Sequence, residues 1–193
     1  MDNEPTELFD HWPLCSCPLI LPVRGYQDQC IYRCSNCRFV FDRRIPTSIE
    51  LEGYYKQYSY SSLKRCSQQT INSYNKLLDE VEKYRRCGNL LDVGCGQGDF
   101  LNQAQKRGWN VYGCEYSEGA VAICDSRGLQ VEQGALTADL YDEVQFDVIT
   151  SFEVIEHLND PNEHFFLIHE KLRTGGLYFC TTPNFNSVLR CVE

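Results

Sequence analysis

An α/β fold is predicted: a mostly parallel sheet with helices on both faces, preceded by a small β-rich, cysteine-rich module. Three observations lead there. From residue 89 onward, short apolar runs alternate with amphipathic stretches of helical period. Glycines punctuate the ends of those stretches, at Gly88, Gly108 and Gly175-Gly176. Five of the twelve cysteines fall within the first 37 residues. Alternating strand and helix means that neighbouring strands run parallel, because a parallel pair needs a crossover, usually a helix.

The elements follow in order. Residues 1–46 hold Cys15, Cys17, Cys30, Cys34 and Cys37 with β-prone pieces at 29–33 and 39–41, and read as one cysteine-rich module. Residues 47–88 form a linker. It begins with a tyrosine-rich run at 54–60 that either packs or serves as a lid. It continues with a helix over 67–86, where Ile71, Tyr74, Leu77, Leu78, Val81 and Tyr84 recur every three or four residues. Residues 89–193 are the core. Strands are expected at 90–93, 110–114, 129–132, 146–151 and 177–181, with helices at 99–107, 117–126 and 161–173. Ser117 and Asp160 are the expected N-caps, the latter followed by Pro161 at N1 and Glu163 at the capping-box position.

The bulk properties narrow the function. A length of 193 residues suits one medium domain with a small appendage. A net charge of −9 disfavours nucleic acid as a partner and suits a small-molecule ligand. No apolar run reaches the ~20 residues of a membrane span. The N-terminus shows no secretory signal, so a cytoplasmic location is expected. In that setting thiols stay reduced, and clustered cysteines point to metal.

The chemistry concentrates in Leu90-Leu91-Asp92-Val93-Gly94-Cys95-Gly96-Gln97-Gly98, between a strand and a helix. Glycines at 94, 96 and 98 allow a tight turn and close approach of a ligand. The spacing is not that of a dinucleotide fingerprint, whose last glycine would fall on Asp99. A carboxylate there opposes a pyrophosphate at the helix N-terminus. That argues against a nicotinamide-dependent oxidoreductase and for a ligand without phosphate, such as S-adenosylmethionine. Glu115, ending the second strand 17 residues after Gly98, can accept both hydroxyls of a ribose.

From residue 90 to 184 the chain resembles class I S-adenosylmethionine-dependent methyltransferases, which are Rossmann-like, closest to their ubiquinone-biosynthesis O-methyltransferase-like branch. The resemblance rests on the glycine loop, Gly113-Cys114-Glu115-Tyr116-Ser117, Phe146-Asp147-Val148-Ile149, Glu153-Val154-Ile155-Glu156-His157-Leu158, Leu172-Arg173-Thr174-Gly175-Gly176 and Thr182-Pro183-Asn184. It implies S-adenosylmethionine or S-adenosylhomocysteine as cofactor. Asp92, Gly94, Cys95, Gly96 and Gly98 would hold its amino-acid part, Glu115 the ribose, and Tyr116 the adenine face. Gly134 and Ala135 would lie at the adenine edge, without the acid many relatives carry there, and Phe152 and Glu153 on the methionine side. The family's sheet usually has seven strands. Ten residues after Pro183 leave no room for strands 6 and 7, so both are expected to be absent. The edge beside the fifth strand would then be open to homodimer pairing.

His157 is the candidate general base, with a pKa range suited to neutral pH. His164 and His169 read as ordinary helix residues, and His11 lies in the N-terminal arm. Cys34 and Cys37 form a CxxC knuckle, the spacing that brings two thiolates to one tetrahedral zinc. Cys15 and Cys17 are the second pair, with Cys30 as a substitute for one of them. Similar small zinc-binding regions precede the core in methyltransferases of sugar and natural-product pathways. The expected reaction is methylation of a small molecule, at oxygen or at a sugar carbon. The alternative is a zinc-ribbon interaction module beside a degenerate, inactive methyltransferase domain.

Overall fold

A computed structural model describes residues 7–12, 14–47, 50, 66–185 and 187. The tyrosine run at 54–60 lies outside them.

Residues 7–46 build two antiparallel pieces. β1 (Glu7–Leu8) pairs with β5 (Arg44–Ile45), and β2 (Ile20–Pro22), β3 (Ile31–Cys34) and β4 (Val40–Asp42) form a three-stranded sheet in the order β2-β3-β4. Their common core is aromatic. The Trp12 ring stacks on Phe39 at 4.8 Å and meets Phe41 at 4.2 Å, with the Cys34 side chain buried beside them.

The larger sheet has five parallel strands: β6 (Asn89–Val93), β7 (Asn110–Glu115), β8 (Gln130–Gln133), β9 (Phe146–Phe152) and β10 (Leu172–Thr181). Their order is β10-β9-β6-β7-β8. The chain steps outward from β6 to β8, then returns to lay β9 on the other side of β6. That reversal is the switch point at which open α/β sheets form a crevice at their carboxyl ends. Helices α1 (Gln68–Val81), α2 (Asp99–Lys106) and α3 (Glu118–Ser126) pack on one face, where Leu78, Val81, Phe100, Leu101, Ala104 and Cys124 join one core cluster. Helix α4 (Pro161–Lys171) covers the other face, with Ile168 against Leu91, Phe146 and Ile149. Burying Phe100 and Leu101 contributes roughly 1.5–3 kcal/mol each. Among the described residues no helix is long and apolar enough to cross a membrane.

The caps lie where the sequence puts them. Ser117 accepts from the Ala120 amide, and Asp160 from the amides of Asn162 and Glu163. Three ends differ from expectation, each for a tertiary reason. The first helix stops at Val81, followed by a 3-10 turn at Glu82–Tyr84. Arg85 is then extended, its guanidinium donating to Arg107 O and Gly108 O. Gly88 consequently follows a bend at 86–87 and does not cap the helix. Helix α4 ends at Lys171 and not at 173, because Leu172 already pairs with Phe146 and Arg173 reaches Asp147. The Gly175-Gly176 pair does not break the chain. It is absorbed in a register shift inside β10, between Leu172 and Leu177.

Candidate active site

The glycine loop leaves β6 and folds back on β7. The amides of Gly94 and Cys95 both donate to Cys114 O, at 2.9 and 3.2 Å. Gly94 has φ +70°, and a Cβ there would lie 2.6 Å from Val154 Cγ2. Gly98, the N-cap of α2, has φ +73°, and a Cβ would collide with Leu129 Cδ1 and lie 3.0 Å from Cys124 Sγ. Both positions therefore require glycine on two counts, backbone conformation and space.

Glu115 locks this loop to the next strand. Its Oε2 accepts from Gly96 N at 3.0 Å and its Oε1 from Ser117 N at 2.9 Å. Each carboxylate oxygen keeps lone-pair capacity for a further donor. Cys95 turns away, buried at the sheet, its thiol on Gly96 O at 3.8 Å. Contact with the Cys124 thiol, then burial, push the Cys95 pKa far above its usual range, so it stays a neutral thiol.

Asp92 lies under the loop. Its side chain is buried and Oδ1 accepts from Thr150 Oγ1 at 2.7 Å. Burial pushes its pKa up to about 7; the Thr150 bond opposes that rise and the nearby Glu115 charge adds to it. An acid whose folded pKa is raised costs the fold nothing while it is protonated. The cost grows as pH climbs from the unfolded value toward 7 and is constant above. Asp92→Asn should therefore gain in melting temperature relative to the parent as pH rises from 4 to 7, the margin levelling off above that. A margin flat across that range in thermal melts would contradict the assignment.

Above the carboxyl ends of the strands opens a cleft of about 760 Å³. It is lined by eight of the residues singled out from sequence: Gly94, Glu115, Tyr116, Gly134, Ala135, Phe152, Glu153 and His157. Asp92, Cys95, Gly96 and Gly98 do not line it; they sit beneath or behind, shaping the loop. Glu153 has a left-handed backbone, φ +54°, at the turn out of β9. Such strain in a non-glycine residue is characteristic of functional turns. His157 ends the 3-10 turn Ile155–His157 and is exposed.

One lining residue escaped the sequence reading. His164, from α4, is 6% exposed and lines the same cleft. Its Nε2 is 3.2 Å from Tyr178 Oη, which is 2.7 Å from Ser151 Oγ. Burial lowers the His164 pKa, keeping the ring neutral, and burial pushes Tyr178 up to about 12. The only sequence signal was a histidine one helical turn before the buried Ile168.

In the N-terminal module the sulfurs of Cys15, Cys34 and Cys37 lie within 4.8 Å of one another, and Cys15 Sγ is 3.4 Å from Cys34 Sγ. Cys17 stands outside this trio. Its sulfur is 3.4 Å from Ser35 Oγ and 3.7 Å from Leu19 O. Cys30 occupies a left-handed turn between the 3-10 turn Gln27–Gln29 and β3, likewise outside the trio.

The sheet order, the glycine loop and the acid at the end of β7 define a class, a cofactor-binding α/β domain with its crevice at the switch point. Comparison identifies it: residues 65–190 match the methyltransferase domain family, and the chain belongs to that family. It is 35% identical over 103 residues to a ubiquinone biosynthesis O-methyltransferase of Ruegeria pomeroyi, covering 50% of this chain and 42% of that protein. The counterpart from Pseudomonas syringae pv. tomato is 36% identical over 104 residues, 50% of this chain and 45% of that protein. The chain thus spans somewhat under half the length of these curated relatives. Among solved structures it resembles S-adenosylmethionine-bound CalS10, an amino pentose methyltransferase from Micromonospora echinaspora, with a TM-score of 0.54 and 23% identity over 74% of this chain and 59% of that one. An S-adenosylmethionine-dependent methyltransferase from Archaeoglobus fulgidus gives 0.53 and 20%, over 72% and 62%. These likenesses establish the five-stranded Rossmann-like fold.

Proposed function

We propose that the cleft binds S-adenosylmethionine and that the protein transfers a methyl group to a small-molecule acceptor, at a hydroxyl oxygen or a sugar carbon. The observation that carries this reading is the Glu115 carboxylate, fixed by Gly96 N and Ser117 N beside a glycine loop whose spacing is not that of a dinucleotide fingerprint. When bound, the cofactor supplies an electrophilic methyl group on a positively charged sulfur. The chain's own part is alignment. Glu115 holds the ribose diol, Tyr116 covers the adenine, and Phe152 and Glu153 border the methionine side and fix the line of attack. For a hydroxyl acceptor, an imidazole nitrogen of His157 takes the released proton.

Calorimetry decides the first step. S-adenosylmethionine or S-adenosylhomocysteine should bind at micromolar concentration and NAD should not; the reverse order would overturn the reading. Turnover is checked on a panel of phenols and sugar nucleotides, with His157→Ala expected to lower kcat for hydroxyl acceptors and to flatten its pH dependence. Full turnover with an unchanged pH profile would remove His157 from the mechanism.

The cysteine trio fits a structural zinc ion. Zn–S bonds of about 2.3 Å place tetrahedral ligands under 4 Å apart, close to the spacing within the trio. Cys15, Cys34 and Cys37 would hold the ion, and Cys17 is the expected fourth ligand, reached by exchanging its Ser35 contact. Protein purified without added metal should carry one equivalent of zinc, and chelation should lower its melting temperature. Less than half an equivalent in intact protein would refute the assignment.

A further inference from the structure

The N-terminal module plays no part in the mechanism above, yet it touches the core at the rim of the cleft. Asn159 lines the cleft, and its Nδ2 donates to Pro46 O at 3.3 Å. Pro46 follows directly on β5. A second contact lies beyond β10, where the Phe185 ring meets the Tyr26 ring edge-on at 5.8 Å. Both rings are half-buried.

The sheet order says which part of the rim this is. Asn159 stands on the segment that leaves β9, and Phe185 on the segment that leaves β10. Those two strands are neighbours on one side of β6. Glu115 and the loop after β8, proposed above to hold ribose and adenine, belong to the strands on the other side. The two exit segments also touch each other. Glu153 N donates to Thr181 O at 3.1 Å, and the Thr182 side chain lies beside the Glu156 carboxylate. The module therefore abuts the β9–β10 half of the crevice, away from the ribose and adenine side.

His157 stands two residues before Asn159 on the same segment. The backbone bonds there are short-range: His157 N donates to Val154 O and Leu158 N to Ile155 O. A single 3-10 turn of this kind has poor bond geometry and holds a loop weakly by itself. The Asn159 amide adds a tie to a separate sheet, since Pro46 is anchored through β5 to β1.

We propose that the N-terminal module forms the outer wall of the acceptor half of the cleft, and that the Asn159–Pro46 bond positions the His157 segment against it. This rests on the reading that the cleft takes S-adenosylmethionine and a small-molecule acceptor. Asn159 is a positioning residue, acting through the rim that it holds. Acceptor affinity then depends on the contact between module and core, and cofactor affinity does not.

The test reads acceptor and cofactor separately in Asn159→Asp, Asn159→Gln and Tyr26→Ala, each with unchanged far-ultraviolet circular dichroism. Aspartate keeps the shape of asparagine and removes the donor; glutamine keeps a donor. Kinetics uses the member of the phenol and sugar-nucleotide panel that the parent turns over fastest. Asn159→Asp should raise its KM about fivefold, the worth of one neutral hydrogen bond, with kcat less affected. Tyr26→Ala should raise KM as well, and Asn159→Gln should stay within twofold of the parent. Calorimetry should find S-adenosylhomocysteine within twofold of the parent in all three. Hydrogen exchange over residues 154–163 should quicken in Asn159→Asp and not in Asn159→Gln. Exchange unaltered in Asn159→Asp would overturn the proposal. So would a KM unchanged in Asn159→Asp and Tyr26→Ala, which would leave the contact a structural latch. Weaker S-adenosylhomocysteine binding at unchanged KM would assign the segment to the cofactor half instead. A parent that binds no S-adenosylhomocysteine, or binds it and turns over no acceptor, sinks the functional reading itself and this inference with it.

Discussion

Glu115→Ala is expected to weaken S-adenosylhomocysteine binding at least about 100-fold, the largest effect of any single change in the cleft. Two losses combine. A carboxylate accepting from two ribose hydroxyls makes charge-assisted bonds worth roughly 1.5–3 kcal/mol each, and 2.7 kcal/mol is about a hundredfold in Kd. The same carboxylate accepts from Gly96 N and Ser117 N, so its removal also frees the loop it tethers. Glu115→Gln separates the two contributions. Its single oxygen can still tether one amide, while its amide nitrogen presents a donor to hydroxyls that need an acceptor. Its affinity should fall between those of the parent and the alanine variant. Calorimetry on variants with unchanged far-ultraviolet circular dichroism provides the check. An alanine variant within threefold of the parent would remove Glu115 from the ribose site.

The glycine loop and Glu115 were legible because backbone physics confines their residue types. Positive φ at Gly94 and Gly98, with no room for a Cβ, leaves one amino acid for each position. Caps were legible for a related reason: Ser117 and Asp160 bond to amides two or three residues away, within the reach of local sequence. His164 was not legible. Its partners, Tyr178 and Ser151, are 14 and 13 positions away on two different strands, and only the packing of α4 on the sheet brings them together. Helical spacing made it one more residue on a half-buried face. The same limit applies to the cysteines. The backbone between Cys15 and Cys17 is a turn whose Ser16 has φ +50°, so the two sulfurs part: Cys15 joins the trio while Cys17, bridged to Trp12, meets Ser35. The end of α4 and the bulge of β10 were also decided at a distance, by the pairing of Leu172 with Phe146 and by the pull of Asp147 on Arg173.

Asp147 concentrates that tertiary influence, and its loss should be the most destabilising substitution in the sheet. The residue is fully buried in β9. One carboxylate oxygen accepts from Arg86 N at 2.8 Å and Gly88 N at 2.7 Å, fixing the connection from α1 to β6. The other takes the Arg173 guanidinium, which also donates to Tyr84 O. Three segments distant in sequence thus meet on one side chain. Burial raises its pKa, but the bonds from Arg173, Arg86 N and Gly88 N outweigh burial and hold it below the ordinary carboxylate value. Removing one partner of such a pair leaves an arginine and two amides without their acceptor. The cost expected for Asp147→Ala is about 3 kcal/mol, at the lower end for a buried pair because Arg173 still reaches solvent. In a chain of this size that lowers the melting temperature by roughly 6–12 °C. The urea midpoint should fall with an unchanged slope. The pH dependence has a definite sign. With the folded pKa depressed, the stabilising contribution is complete above the unfolded value near 4 and is lost as pH falls through the lower folded value. The gap between parent and Asp147→Ala should therefore be full at pH 7 and shrink below pH 4. A gap that stayed constant into strong acid, or a loss under 1 kcal/mol at pH 7, would mean that Arg173 and the two amides find other acceptors and that this junction is held by packing alone.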